Sequence, residues 1–146
     1  MKMKYLSILA LSLIFISCNG NTQTNKTKEK TQKVANKIEV IDFYSTHRCM
    51  TCKAIEANTK YTLDTYFSSE LKNKKITFKT VNVDEEENYK LAEKFEATGT
   101  ALFLNVIVNG KETQIDLTDF AFMKGNDQEV FSMELKSKLE AELKKV

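Results

Sequence analysis

Residues 48–56, RCMTCKAIE, place Cys49 and Cys52 three positions apart in a chain whose only other cysteine is Cys18. Two thiols at this spacing can exchange disulfides, grip a soft metal, or pack as small buried side chains. If a helix begins just after Cys49, its unpaired N–H groups and positive dipole end face that sulfur and favour the thiolate. Cys52, one helical turn on, then lies on the same side within disulfide reach, where it can resolve a mixed disulfide formed on Cys49. His47, the single histidine, and Arg48 flank the first cysteine as candidate modulators of its anion. A closed structural zinc site needs four protein ligands, and with Cys18 set aside in the N-terminal appendage, His47, Cys49 and Cys52 are three. Copper, which softer thiolate ligation can hold with fewer groups, is the metal alternative for the same three residues. A static structural disulfide is the other alternative.

Periodicity shows the elements that must position these residues. KIEVIDFY, residues 37–44, is rich in β-branched and aromatic residues and reads as a buried strand ending at polar STH, next to the cysteines. Over residues 50–71, Ile55, Thr59, Leu63, Phe67 and Leu71 recur every four positions, with Ala54 and Tyr66 widening the stripe, which predicts one amphipathic helix. The CxxC therefore sits at a strand-to-helix junction. ITFKTVNV, residues 76–83, is a second strand, and Asp84 followed by Glu87 has the form of a capping box for a helix through Phe95, with Gly99 ending that turn. ALFLNVIV, residues 101–108, is a nearly continuous apolar run expected of a central strand covered on both faces. Asn109-Gly110 marks a hairpin turn into KETQIDL, and a last helix carries Phe131, Leu135, Leu139 and Leu143 on one face. The order β-α-β-α-β-β-α predicts an α/β fold with a central mixed sheet flanked by helices. In residues 117–125, LTDFAFMKG, the side chains of Phe120, Phe122 and Met123 follow neither period, so they either cap the core or form an apolar docking patch.

With 146 residues, 42% of them hydrophobic, the chain fits one domain and an appendage. The appendage is N-terminal: MKMKYLSILALSLIFISC has two lysines, an apolar run from Tyr5 to Ile16, and small Ser17 before Cys18. That is a secretion signal, shorter than the roughly 20 apolar residues a membrane span requires. This end resembles a bacterial lipoprotein signal, which implies lipidation of Cys18 and a domain anchored to a bacterial membrane, in the cell envelope outside the cytoplasm. Removing residues 1–17 takes Lys2 and Lys4 and leaves 20 basic against 20 acidic residues, so the whole-chain net charge of +2 implies no nucleic-acid partner. Residues 19–36, NGNTQTNKTKEKTQKVAN, hold Val34 as their one large apolar residue and read as a disordered tether. The expected organisation is a signal peptide at 1–17, the lipidated cysteine and tether at 18–36, and a domain at 37–146.

DFYSTHRCMTCK, VNVDEEEN and TGTALFLNVIVNGK together resemble the thioredoxin superfamily over residues 37–146. More closely, RCMTCKAIEANT, NVDEEENYKLAEKFEATGT and LTDFAFM look like a thioredoxin-like family of nitrophenyl-compound nitroreductase subunits. The superfamily resemblance implies a thioredoxin-like fold and dithiol–disulfide exchange with a protein thiol or disulfide partner. Cys49 would attack and Cys52 resolve, with no bound cofactor and no metal. The closer resemblance implies a reductase subunit as partner. Nitro reduction needs a flavin or another multi-electron centre, for which the chain shows no motif, so this protein would pass electrons on.

Three departures qualify the resemblance. The chain has no proline, so the place of the superfamily's groove-shaping cis-proline falls to Ala101 or Thr100. A cis bond there would cost about 2.5 to 4 kcal/mol, and a trans bond with an altered substrate groove is expected. Arg48 stands where the superfamily has Trp, which makes the rim more polar and positive. Asp42 resembles the superfamily's buried acid but lies one residue farther from the CxxC, leaving a proton relay and a solvent-facing strand-edge carboxylate as its two readings. A non-catalytic adaptor, with locked cysteines and residues 120–123 as its contact surface, is the remaining alternative for the whole domain.

Overall fold

A computed structural model describes residues 35–146. The expected signal peptide, Cys18 and the expected tether as far as residue 34 lie outside the described residues. Strands β1 (Lys37–Tyr44), β2 (Ile76–Asn82), β3 (Ala101–Val108) and β4 (Lys111–Asp116) form one sheet in the order β2-β1-β3-β4. β1 runs parallel to β2 and antiparallel to β3, and β4 returns antiparallel to β3, so the sheet is mixed as the element order predicts. The turn before β4 has positive φ at Asn109 (52°) and Gly110 (79°), the combination a two-residue hairpin needs to match strand twist.

Alternation along β1 divides the core into two layers. Ile38 and Val40, with Leu102, Leu104 and Val106 of β3, face the helices α1 (Met50–Tyr66), α4 (Thr118–Lys124) and α5 (Gln128–Leu143). Phe131, Leu135 and Leu139 of α5 are wholly buried in this layer, each burial contributing roughly 1.5 to 3 kcal/mol. Ile41 and Phe43 point to the other face, under the short helix α3 (Tyr89–Lys94). There Phe43, Phe95 and Phe103 form a cluster with ring centroids 5.3 to 5.9 Å apart. β1 lies between both layers, and its last residue leads directly into the cysteine loop.

The single helix predicted over residues 50–71 is two, α1 and α2 (Ser68–Lys72), separated at Phe67 with φ −129°. Phe67 still donates to the Leu63 carbonyl at 2.9 Å and accepts from the Leu71 N–H at 2.9 Å. It therefore stays buried in the apolar stripe across the break. Tyr66, expected to widen that stripe, is exposed, with the Lys136 ammonium 5.1 Å from its ring. The capping box does not form, because the Asp84 carboxylate accepts the Thr46 N–H at 2.7 Å. A 3₁₀ turn at Glu86–Asn88 leads into α3 instead. Helix α4 is an element that periodicity did not predict. No described helix is long and apolar enough to cross a membrane.

Candidate active site

Five loop residues separate the end of β1 from the start of α1. Cys49 is the last of them and caps the helix: its backbone is extended, and its Sγ accepts the Cys52 N–H at 3.0 Å. The two cysteines form a disulfide with their Cα atoms 5.1 Å apart. Cys49 is exposed and Cys52 is buried, so a partner meets the first cysteine and not the second. On reduction, the Cys52 N–H and the positive end of α1 both favour an anion on Cys49.

Asp42 lies on the Ile38 and Val40 face of β1, wholly buried, with Oδ1 free of any hydrogen-bond partner. Burial pushes its carboxyl up to about 7, the Arg48 charge pulling against that rise and the Glu56 charge adding to it. The solvent-facing reading of Asp42 is therefore incorrect, because strand alternation turns it inward. Arg48 also turns inward. Its guanidinium donates to Asp42 Oδ2 at 3.4 Å, to the Cys52 carbonyl at 3.1 Å and to the Glu56 carboxylate, and it lies 4.5 Å from the centre of the Tyr44 ring. Its side chain is 15% exposed, so the charge expected at the rim lies beneath the first turn of α1. His47 is exposed. Hydrogen bonding from Thr46 chiefly, and the nearby His47 charge to a lesser degree, hold the Asp84 carboxyl below the usual range. That contact ties the cysteine loop to the loop after β2.

Residues 21–130 match the family described as Thioredoxin, a span that takes in the sheet, the disulfide and the start of α5. The chain belongs to the thioredoxin family. Its mixed four-stranded sheet flanked by helices is the thioredoxin fold, and the Cys49–Cys52 pair gives it thiol–disulfide oxidoreductase chemistry. Thioredoxin-family proteins act on protein thiol and disulfide partners. Similar solved structures include mitochondrial thioredoxin 3 from Saccharomyces cerevisiae in its oxidised form, at 26% identity over 62% of this chain and 76% of that one, with a TM-score of 0.40. A thioredoxin from Fasciola hepatica is 21% identical over 60% of this chain and 76% of that one, with a TM-score of 0.39. One from Thermus thermophilus is 20% identical over 54% and 58%, with a TM-score of 0.37. No curated protein matches the chain.

In this thioredoxin-family domain Ala101 opens β3 and pairs in register with Phe43, which puts Thr100 and Ala101 at the same end of the sheet as the cysteine loop. Gly99 passes close to that loop, since a Cβ added there would meet Ser45 Oγ at 3.6 Å. Thr100 and Ala101 line a cleft of about 570 Å³ with Phe95, Gln114, Asp116 and Thr118, and neither cysteine lines it. In the segment at residues 120–123 the core-capping reading holds for Phe120, which is buried and therefore offers no docking anchor. Phe120 is buried against Phe131, their ring centroids 5.0 Å apart, and caps the core, whereas Phe122 and Met123 are 42% and 74% exposed. The end of α4 reaches the first half of α1, where Asn58 Nδ2 donates to the Gly125 carbonyl at 2.8 Å and Thr51 Oγ1 donates to Asn126 Oδ1 at 3.3 Å. Among the described residues, no group of three or more His, Cys, Asp or Glu side chains is placed to hold a metal ion. While the sulfurs are bonded to each other, they offer copper no thiolate. Sequence reasoning did not single out Glu56 or Tyr44. Their partner Arg48 lies outside the helix, so helical spacing gave no sign of the contact.

Proposed function

We propose that this protein is an exported, membrane-tethered thiol–disulfide oxidoreductase that exchanges disulfides through Cys49 and Cys52, either with protein partners directly or as the electron-relay subunit of a reductase. The observation that carries this reading is the asymmetry of the pair: an exposed Cys49 whose sulfur is held against the Cys52 N–H at the start of α1, with Cys52 buried. Export and lipidation of Cys18 rest on the N-terminal sequence. The relay role rests on the resemblance to nitroreductase subunits.

In the reducing direction the Cys49 thiolate attacks one sulfur of a partner disulfide. A Cys49–partner disulfide forms and the partner's other sulfur leaves as a thiolate. The Cys52 thiolate then attacks Cys49, closes the internal disulfide and releases the second partner thiolate. Two electrons pass to the partner and no cofactor is needed for the balance. The oxidising direction is the reverse sequence.

Cysteine variants test this reading. Cys52→Ser should accumulate a mixed disulfide with partner proteins or with glutathione, because the resolving sulfur is gone. Cys49→Ser should accumulate none. Equal trapping by both variants would remove the distinction between attacking and resolving thiols. Cys18→Ser should move the protein from the membrane fraction to the soluble fraction, and an unchanged distribution would end the lipid-anchor reading.

A further inference from the structure

One fixed cation serves two carboxylates and the Cys52 carbonyl. Arg48 Nη2 contacts both Asp42 Oδ2 and the Cys52 carbonyl, while Nη1 donates to Glu56. The arginine cannot lose its charge at ordinary pH, and a buried carboxylate ionises only as far as nearby positive charge compensates it. Whatever part of that compensation goes to Glu56 is withheld from Asp42. The Glu56 side chain is one-third exposed and can share its charge with water, whereas Asp42 has no contact with solvent and one unpartnered oxygen.

We infer that Glu56 is a positioning residue of the exchange reaction, setting through Arg48 the pH range over which Asp42 becomes charged beside the Arg48–Cys52 contact. This deepens the exchange reading above and rests on it. The charged groups facing Asp42 are Arg48 from the cysteine loop and Glu56 from α1. Its register neighbours, Thr80 on β2 and Leu102 on β3, are uncharged, and α4 and α5 present apolar side chains to this face. Arg48 also holds the Cys52 carbonyl, so the same guanidinium links the Asp42 carboxylate to the resolving cysteine. When Cys52 is released from the disulfide, an ionised Asp42 disfavours its thiolate and a protonated Asp42 does not. The resolving step needs that thiolate: Cys52 sulfur bonds to Cys49, the Cys49–partner bond breaks, and the partner departs as thiolate.

The test uses Glu56→Gln in the full chain. The Asp42 carboxyl carbon is followed by NMR against pH in the oxidised protein, with Asp42→Asn assigning the signal. The rate of resolution of a glutathione mixed disulfide is followed over the same pH range. The expected result is an Asp42 midpoint lowered by about one pH unit, the order a single nearby charge produces, with the inflection of the rate profile moving with it. Glu56→Asp, which keeps the charge, should stay closer to the natural profile. An unmoved Asp42 midpoint, or a moved midpoint with an unmoved rate profile, overturns the role assigned to Glu56. A reduced natural protein that does not react with oxidised glutathione at all ends the exchange reading itself, and the Asp42 titration still reports separately whether Glu56 acts on it.

Discussion

The Asp42 carboxylate lies 3.4 Å from the Arg48 guanidinium, yet it is wholly buried and one of its oxygens has no partner. A single long ion pair does not offset that burial. The carboxyl therefore stands at about 7 in the folded protein against 3.8 as its ordinary value.

The sign of the resulting pH dependence follows from proton binding. Between those two values the folded state holds a proton that the unfolded chain has released, so the contribution of Asp42 to stability is lost as pH rises from about 4 to about 7. The loss levels off above that at roughly 4 kcal/mol as an upper bound. Asp42→Asn is expected to match the natural protein near pH 4 and to exceed its stability by about 2 to 4 kcal/mol at pH 8. Urea unfolding at the two pH values checks this. Asp84 and Glu112, held below the ordinary carboxylate range by hydrogen bonds from Thr46 and Lys94, act in the opposite sense and only as pH falls towards about 4. The difference between variant and parent therefore isolates Asp42. A gap that does not widen with pH would mean that Asp42 is ionised without penalty.

Phe120 and Phe122 should separate stability from docking. Phe120→Ala empties a buried position against Phe131 and should destabilise the domain by about 3 kcal/mol or more. Phe122→Ala, at an exposed position, should change stability by no more than about 0.5 kcal/mol. If Phe122→Ala nevertheless slows exchange with a protein partner while leaving exchange with glutathione unchanged, the exposed face of α4 is a contact surface. Equal rates with both would leave α4 a core cap alone.

Much of this arrangement was legible because apolar spacing repeats wherever a long element packs on the sheet. β1, β3, the hairpin and α5 all carry that signal over at least one full strand or two helical turns. The break at Phe67 was invisible, since Phe67 occupies the buried stripe on either side of it. Helix α4 was invisible because two turns bury only Phe120 and Ala121, too few positions to show a period. Asp84 has the local form of a cap, and a donor 38 positions away in sequence, the Thr46 N–H, takes its carboxylate. The burial of Asp42 did have a sequence signal, because it continues the Ile38 and Val40 alternation. The inward turn of Arg48 had none. It depends on Glu56 and Asp42 both reaching Arg48, which lies in a loop that has no periodicity of its own.

Gly125 marks the close approach of α4 to the start of α1. A Cβ there would lie 2.7 Å from the Ala121 carbonyl oxygen and 3.0 Å from an Ile55 side-chain carbon. Gly125→Ala should therefore distort the last turn of α4 against its own Ala121 carbonyl and crowd Ile55 of α1, destabilising the domain by about 1 to 3 kcal/mol. The Asn58 contact to the Gly125 carbonyl would weaken with it. Thermal unfolding of the variant measures the change, and a variant as stable as its parent would mean that α4 shifts without resistance.

The most direct measurement is the equilibrium reduction potential of the Cys49–Cys52 pair in the purified chain, poised in glutathione or dithiothreitol buffers and read as the mass shift after thiol alkylation. A catalytic dithiol should show a reversible two-electron transition between roughly −120 and −270 mV, and its position within that span tells whether the protein tends to oxidise or reduce. A pair that stays oxidised to below about −300 mV would be a structural disulfide, and the exchange mechanism would be wrong.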